Sequence, residues 1–175
     1  LFKIEQYVEM ALSCARLESD STDYVIRSLP LEQIVKPAVR KYAPMFISKK
    51  LSLEMSSLTA TVLTDEKWAQ FIVEQILSNS LKYTRTGSIR IWQKDPAALL
   101  IEDTGIGIDP ADIPRLGERG FTGYNGRLDK KSTGIGLYLC KEISRRLSHT
   151  LTIESEPGKG TRVTIDFATR QLQAE

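Results

Sequence analysis

The sequence predicts an α+β fold in which about three helices form one layer against one mixed sheet, with a helical arm in front. Three observations predict this fold. Apolar residues recur at helical spacing in four segments, and shorter segments typical of strands lie between them. A polar stretch sets the first helical segment apart from the rest. At 175 residues, the chain has room for one domain of ordinary size and a short extra element.

The first helical segment carries a narrow apolar seam of about two heptads. Its members recur at alternating steps of three and four residues and are Leu1, Ile4, Val8, Ala11 and Ala15. One interpretation is an amphipathic helix that folds back on its own domain. The other, which so narrow a seam favours, is half of a helix bundle whose other helix is missing. We therefore divide the chain into an arm at residues 1–18, a linker at 19–24 and a domain at 25–170.

Three helices are predicted within the domain, at residues 31–46, 66–83 and 134–147. Asp65 is placed to cap the second of them, because a carboxylate accepts hydrogen bonds from the free amides of a first turn. Arg146 lies in the last turn of the third, where the helix dipole favours cations.

Seven strands are predicted from alternating or β-rich segments, the last four of them as two hairpins. They lie at residues 24–29, 51–55, 60–63, 88–92, 99–102, 151–154 and 161–167. Residues 103–133 are mostly loop and rich in glycine, and a loop of that length in a compact domain is usually functional or disordered.

Composition excludes several classes of protein. The chain is 41% hydrophobic and 26% charged, which is typical of a soluble globular domain. Its net charge of +2 comes without a long basic run, so we expect no nucleic-acid partner. No apolar stretch approaches the roughly 18 residues needed to span a bilayer. Cys14 and Cys140 lie far apart in sequence, and we expect both to be reduced, buried thiols in a cytosolic setting.

The helix predicted at residues 66–83 changes character along its length. Its apolar stripe, continued at steps of three and four, meets Gln75, Asn79, Lys82 and Tyr83. Burying such polar groups without partners would cost roughly 1–3 kcal/mol each. Either a ligand meets them, or the end of the helix simply emerges into water.

Three glycine-containing motifs follow in the sequence. Asp103-Thr104-Gly105-Ile106-Gly107 comes directly after a strand, where a carboxylate can accept a hydrogen bond from a base and glycines let the backbone approach a flat ring. Thr133-Gly134-Ile135-Gly136-Leu137 opens a helix, whose free amides favour anions. Gly158-Lys159-Gly160-Thr161 lies in the last hairpin. Each motif alone is also explained by a plain turn.

The order and spacing of these motifs resemble the N, G1, F, G2 and G3 boxes of the GHKL ATP-binding fold. The fold implied is a two-layer α/β sandwich of the Bergerat type. Within that superfamily, the chain is similar to the catalytic domain of sensor histidine kinases over about residues 25–167. Residues 115–126 resemble the lid of the intramembrane-sensing kinases of Gram-positive bacteria, and residues 1–17 resemble the second helix of a dimerisation and phosphoacceptor hairpin.

The resemblance implies ATP and Mg²⁺ as cofactors. Asn79 is expected to ligate Mg²⁺, Lys82 to meet a phosphate oxygen, and Tyr83 to border the adenine, whose amino group donates to Asp103. The full nucleotide-binding set it implies is Asn79, Lys82, Tyr83, Asp103, Gly105, Gly107, Ile108, Gly120, Thr133, Gly134, Ile135, Gly136, Leu137 and Thr161. The catalytic set consists of Arg119, Lys82 and Gln75, with Arg119 facing the terminal phosphate.

Two departures from the family pattern leave alternatives open. Gln75 stands where the superfamily's ATPases have their general-base Glu, which argues against a gyrase-like or chaperone-like ATPase. Glu74 is one position away, which leaves its assignment as a base in doubt. No histidine followed by an acidic residue on a helix is present, and His149 is expected to be a solvated helix-end residue. A degenerate binding module that holds nucleotide without transfer is the remaining alternative.

The resemblance also implies partners. We expect phosphate transfer to a histidine on a helix hairpin of the same full-length kinase and onward to a response regulator. The full-length protein is expected to be a homodimer, with this domain in the cytoplasm and an anchor in the cell membrane.

Overall fold

The computed structural model describes residues 2–19, 24–94, 97–123 and 134–168. Every helix and strand that the sequence predicts is present, with ends shifted by a few residues. In chain order the elements are α1 (Phe2–Glu18), β1 (Ile26–Pro30), α2 (Leu31–Lys49), β2 (Ser52–Met55), β3 (Thr61–Asp65), α3 (Glu66–Tyr83), β4 (Ser88–Lys94), β5 (Ala98–Asp103), a 3₁₀ turn (Ile113–Arg115), α4 (Gly136–Arg146), β6 (Thr150–Glu156) and β7 (Gly160–Asp166).

The main sheet has five strands in the order β2-β4-β5-β7-β6. Only β2 and β4 are parallel, and the other neighbours are antiparallel. The sheet is therefore mixed, as predicted. Because β5 and β7 are its inner neighbours, the ends of these two strands bring Asp103 and Thr161 into register as a direct pair.

β1 and β3 do not join this sheet but pair with each other as a separate antiparallel ribbon. One face of the ribbon is buried through Leu29 and Val62, which lie opposite each other. α2 begins directly after β1, and α3 begins directly after β3. The ribbon thus holds the N-terminal ends of two neighbouring helices together, which explains why these strands pair away from the main sheet.

The core lies between the helices and one face of the main sheet. α2 packs on α3 through fully buried residues that include Ile34 and Tyr42. On β4, Ile89 and Ile91 are fully buried while Arg90 between them is exposed, so the strand presents one face to the helices and the other to solvent. This is the two-layer sandwich that the sequence predicts.

The solvent face of the sheet carries an alternating row of charges across all five strands. In strand order the row is Glu54, Arg90, Glu102, Arg162 and Glu154. Its shortest link joins Arg162 Nη2 to Glu102 Oε1 at 2.6 Å, and Arg90 Nε lies 3.2 Å from Glu54 Oε2. Exposed pairs of this kind contribute about 0.2–1 kcal/mol each. Sequence patterns alone do not predict this row, because it depends on strand order.

The arm folds back on its own domain, but not through the predicted seam. Met10 and Leu17 are buried, and α1 packs against α4. Val8 and Leu12 of the seam side are each 52% exposed. The reason is a second stripe at steps of four and three, Met10-Cys14-Leu17, which packs on the domain and leaves Val8, Ala11 and Ala15 of the seam exposed.

A cluster of charges fastens the arm to the helix layer. Lys41 Nζ on α2 lies 3.3 Å from Glu9 Oε2 on α1 and 2.5 Å from Glu74 Oε2 on α3. Glu74 is buried, and its other oxygen accepts from Gln70 at 3.1 Å. The Lys41 pKa is raised: burial, the largest influence, lowers it, but the two carboxylates together outweigh burial.

The expectation that His149 is solvated is wrong. Its imidazole is buried after α4, Nε2 shares a 2.8 Å hydrogen bond with Thr64 Oγ1, and Nδ1 has no partner in the described chain. The ring meets Phe167 edge-on, with the ring centroids 4.9 Å apart. Burial lowers the pKa of His149 to about 4, against a smaller opposing effect of Asp166. Neither cysteine forms a disulfide, and Cys140 is buried as expected, whereas Cys14 is only half-buried.

Candidate functional site

The C-terminal half of α3 supplies the first wall of the site. The helix begins where Asp65 accepts from the amide of Trp68 at 3.0 Å, which confirms the predicted N-cap. Gln75 is buried, whereas Asn79, Lys82 and Tyr83 are half-buried. Lys82 Nζ lies 5.1 Å from the centroid of the Tyr83 ring. The helix end therefore does not simply emerge into water.

Asp103 occupies the end of β5 and is buried. Its Oδ1 accepts from the amide of Gly105 at 2.9 Å and from the amide of Thr161 at 3.3 Å. Burial raises the pKa of Asp103, and these amides together with a hydrogen bond from Ser80 oppose that rise. The carboxylate is thus fixed in orientation by backbone groups from two neighbouring segments, while the opposing α3 contributes one hydroxyl.

The turn after β5 lies between the end of α3 and the last hairpin. The amide of Ile106 donates to the carbonyl of Tyr83 at 3.1 Å, and the amide of Gly158 donates to the carbonyl of Ile106 at 2.8 Å. Gly105 and Gly107 are both buried. The predicted adenine wall and the predicted asparagine helix are therefore directly hydrogen-bonded to each other.

A serine that sequence reasoning missed joins this turn to Thr161. Ser155 Oγ accepts from the amide of Ile108 at 2.9 Å and lies 2.9 Å from Thr161 Oγ1. Ser155 also donates to the carbonyl of Gly160 at 2.8 Å. The only signal in the sequence was its register, since Ser155 pairs with Thr161 across the hairpin.

Ser80 was missed as well, although it directly follows Asn79. It is buried and hydrogen-bonds to Asp103. In the sequence it lies on the side of α3 that is expected to face the sheet, so helical spacing could have placed it opposite the end of β5.

The glycine turn before α4 supplies the second wall. α4 begins at Gly136, and its N-cap Ile135 offers no side-chain acceptor to the first amides. The first helical bond runs from Leu139 to the Ile135 carbonyl at 2.9 Å. Amides at the start of a helix that no cap satisfies favour an anion, and the helix dipole adds to this. Gly134, Ile135, Gly136 and Leu137 are all half-buried here.

Gln75 and α4 meet at this turn. A Cβ added to Gly136 would lie 2.7 Å from Gln75 Oε1, so the glutamine amide rests directly against the first residue of the helix. The sulfur of Met10 would lie 3.9 Å from the same point. The predicted catalytic Gln75 thus sits between the anion-favouring turn and the arm.

Arg119 is exposed and lies beside the same turn. Its neighbour Gly120 donates from its amide to the carbonyl of Gly134 at 3.3 Å. Nearby, Arg115 lies 4.3 Å from the centroid of the Phe121 ring and forms a 3.1 Å ion pair with Glu118. Gly120 is thereby brought to the second wall. Thr133 and residues 124–126 of the lid lie outside the described residues.

The structure describes no ready-made metal centre. Among the described residues, no group of three or more His, Cys, Asp or Glu side chains could hold a metal ion. Glu74 is engaged by Lys41 and Gln70, so its carboxylate is turned to the helix layer. Asn79, the expected Mg²⁺ ligand, is half-buried on the C-terminal half of α3 and offers a hard side-chain oxygen.

Comparison with protein families matches residues 64–171 to the family of histidine kinase-, DNA gyrase B- and HSP90-like ATPases. The chain belongs to this ATPase family. The match begins at the end of β3 and includes both walls of the site.

Named relatives of this ATPase domain are sensor kinases. The chain is 34% identical over 174 residues to the sensor histidine kinase YxdK of Bacillus subtilis, which covers 96% of this chain and 54% of that protein. It is 32% identical over 171 residues to the sensor protein BceS of the same organism, covering 96% and 51%. The chain thus spans about half the length of the curated relatives it matches.

A solved structure shares the fold. Full-length ShkA in complex with AMPPNP matches with a TM-score of 0.75 at 21% identity, over 95% of this chain and 37% of that one. Among the described residues of our ATPase domain, no helix is both long and apolar enough to cross a membrane.

Proposed function

We propose that this domain binds Mg-ATP and transfers the terminal phosphate to a histidine on a helix hairpin outside the chain. The observation that carries the proposal is the buried Asp103 carboxylate, held at the end of β5 by two backbone amides and placed beside the polar end of α3. The family match and the sensor-kinase relatives support it.

The adenine is assigned to the wall made by Asp103 and the turn after it. Oδ1 is engaged by the amides of Gly105 and Thr161, and the carboxylate retains capacity to accept from the exocyclic amino group of a base. Tyr83 is half-buried beside this turn, through the bond from Ile106 to its carbonyl, and can border the ring. ShkA, which shares the fold, was solved with AMPPNP bound.

The phosphates are assigned to the start of α4. Backbone amides of Gly136 and Leu137 favour anions there, and Lys82 can meet a phosphate oxygen. Asn79 fits Mg²⁺, because this ion prefers oxygen ligands and keeps several waters, so that one side-chain amide with the phosphates suffices. When bound, Mg²⁺ would neutralise phosphate charge. Arg119 is assigned to the terminal phosphate, since Gly120 reaches Gly134.

The transfer breaks the bond between the terminal phosphorus and its bridging oxygen and forms one to an imidazole nitrogen. Such reactions depend on positioning and charge neutralisation more than on covalent help from the protein. The only histidine of this chain is buried and hydrogen-bonded to Thr64, so we expect no self-labelling.

The proposal extends to the full-length protein. The arm at residues 1–18 is proposed as the end of the hairpin's second helix, and its exposed seam as the surface that faces the missing helix. We also propose that the full-length protein is a homodimer anchored in the cell membrane and that a response regulator receives the phosphate, and the names of the sensor-kinase relatives support this.

The alternative of a steady-state ATPase is disfavoured by two contacts. Gln75 offers an amide where a general base would stand, and the Glu74 carboxylate is held by Lys41 at 2.5 Å. The Gln75 amide lies at the start of α4 but is not a base, and the Glu74 carboxylate is engaged by Lys41 and Gln70 in the helix layer.

The test supplies the chain with Mg-ATP and a separately purified acceptor hairpin of a related kinase. We expect acid-labile phosphate on the hairpin's histidine, none on this chain, and little hydrolysis without the hairpin. Tight nucleotide binding without transfer to any acceptor hairpin would instead favour a degenerate binding module. Label on His149 would contradict the proposal outright.

A further inference from the structure

The C-terminal end of α3 is closed in an unusual way. Many helices end in a left-handed residue whose amide satisfies the last free carbonyls. α3 ends instead at Thr84, which is extended with φ −103° and ψ 117°. Its amide satisfies the carbonyl of Ser80 at 3.0 Å, and the amide of Ile106 satisfies that of Tyr83 at 3.1 Å. The carbonyl of Leu81 needs another donor.

That donor is the side chain of Lys49, from the last turn of α2. Lys49 Nζ donates to the carbonyl of Leu81 and, at 2.9 Å, to the carbonyl of Thr84. One ammonium group therefore spans the last turn of α3 and the residue that follows it. The positive charge also lies at the negative end of the α3 dipole, where cations are favoured.

Lys49 is not needed to close its own helix. α2 ends with Lys50 in the left-handed region at φ 54°, and the amides of Lys50 and Leu51 donate to the carbonyls of Ile47 and Phe46. In the described part of the chain, no carboxylate pairs with Lys49. Burial lowers the pKa of Lys49, because the ammonium is partly withdrawn from water.

The turn that Lys49 holds carries two residues of the nucleotide site. Lys82 and Tyr83 lie between the two carbonyls that the ammonium contacts. The Tyr83 carbonyl also anchors Ile106 of the adenine wall. A change in this turn would therefore move the proposed phosphate contact, the adenine border and the wall together.

We propose that Lys49 is a positioning residue of the nucleotide site, whose ammonium holds the last turn of α3 in the conformation that binds nucleotide. The inference rests on the proposed function, and it adds a residue 30 positions before Asn79 that touches no nucleotide atom.

The test measures Mg-ADP binding by calorimetry, and thermal stability, on the full 175-residue chain. Lys49→Met keeps the aliphatic stem and removes the donors. We expect affinity to fall on the order of tenfold, as for the loss of a charged hydrogen bond. Lys49→Arg should restore most of the affinity, because a guanidinium can reach two carbonyls. Lys50→Met is the matched control, since Lys50 is the exposed neighbour, and its affinity should equal that of the unaltered chain.

Unchanged affinity in Lys49→Met would overturn the inference. A loss that Lys49→Arg does not restore would overturn it too, because affinity would then not depend on a side chain that donates to the two carbonyls. Should Lys49→Met fail to fold, Lys49→Gln takes its place, and full affinity in that variant would overturn the inference equally. If the unaltered chain binds no Mg-ADP, the proposed function fails instead, so the two failures are distinguishable.

Discussion

Glu102 and Asp103 are consecutive carboxylates with opposite surroundings. Glu102 points to the solvent face of the sheet, where Arg162 Nη2 contacts it at 2.6 Å. Asp103 points inward and is held by amides of Gly105 and Thr161. Because strand residues alternate between faces, neighbouring acids at the end of one strand can have unrelated roles.

Asp103→Asn should weaken ATP and ADP binding by about 1.5–3 kcal/mol, on the order of 10- to 100-fold. The asparagine oxygen can still accept from Gly105 and Thr161, but its amide group cannot accept from the adenine amino group. Stability should not fall, since burial already raises the pKa of Asp103 and favours a neutral side chain. Calorimetry and chemical denaturation measure the two effects.

Glu102→Gln is the control for this prediction. It removes a charge one residue away and weakens the contact with Arg162, so stability should drop by at most about 1 kcal/mol. Nucleotide affinity should stay the same. Equal affinity of Asp103→Asn and Glu102→Gln would remove Asp103 from the adenine site.

Arg119→Ala separates binding from transfer. Arg119 is exposed beside the Gly120–Gly134 contact, and its proposed target is the terminal phosphate, which ADP lacks. ADP affinity should therefore change by no more than about 0.5 kcal/mol. Single-turnover transfer to a supplied acceptor hairpin should fall roughly 100-fold or more, as for a lost transition-state donor.

The control is Arg145→Ala, an exposed arginine at the far end of α4 that pairs with Glu142. Both ADP affinity and transfer should be unchanged there. A parallel loss of ADP binding and transfer in Arg119→Ala would assign Arg119 to nucleotide positioning, and unchanged transfer would leave it as a solvated residue.

At the scale of elements, the β6–β7 hairpin holds the adenine wall from behind. Gly158 and Gly160 both have positive φ, at 77° and 116°. The two positions differ in the room they leave for a side chain. A Cβ on Gly158 would meet nothing within 4 Å, whereas one on Gly160 would overlap the backbone carbonyl of Asp103.

Gly158→Ala should therefore cost only about 1–2 kcal/mol of stability, from the left-handed backbone alone. Gly160→Ala should cost at least about twice as much, since β7 must also move away from β5. It should weaken nucleotide binding too, because the Asp103 backbone shifts with the strands. Urea denaturation of both variants checks this, and equal losses would mean that the hairpin accommodates the extra atom without moving β5.

Sequence periodicity was sufficient to predict the helices and strands and to select most residues of the candidate site. The steps of three and four along α3 placed Gln75, Asn79 and Lys82 on one face, and the strand before Asp103 fixed its position at an edge. Periodicity could not give strand order, so the charge row and the separate β1–β3 ribbon were missed. Ser155 was missed because the exact register of the last hairpin, which pairs it with Thr161, was not assigned.

The covered stripe of α1 was not identified and the expectation for His149 failed, because burial at both places depends on tertiary packing. Both stripes of α1 are apolar, and only the surface of α4 decides that Met10 and Leu17 are covered rather than Val8 and Leu12. His149 follows a helix end, where solvent is the usual surrounding, but Thr64 of the distant ribbon supplies a partner.

For the molecule as a whole, His149 makes stability depend on pH. Its pKa is about 4 in the folded chain and 6.5 in the unfolded chain, where water surrounds the imidazole, so the unfolded chain binds more protons between these values. The stabilisation is fully present above pH 6.5 and is lost as the pH falls towards 4. It amounts to about 3 kcal/mol, at about 1.36 kcal/mol for each pKa unit.

His149→Gln removes this titration. The difference in unfolding free energy between the unaltered chain and the variant should shrink as the pH is lowered from about 7 to about 4, when both are measured by urea denaturation. A difference that stays constant over this range would show that the imidazole does not lose a proton on folding.

The charge row on the sheet also affects the edge-to-edge association of two copies of the molecule. Both outermost strands, β2 and β6, contribute a glutamate to it, namely Glu54 and Glu154. Two copies that approached strand to strand would bring these carboxylates against each other, and like charges directly opposite are destabilising. Unpaired edges are the usual templates for aggregation, so we expect a row that ends in the same sign at both sides to oppose the joining of sheets from two copies.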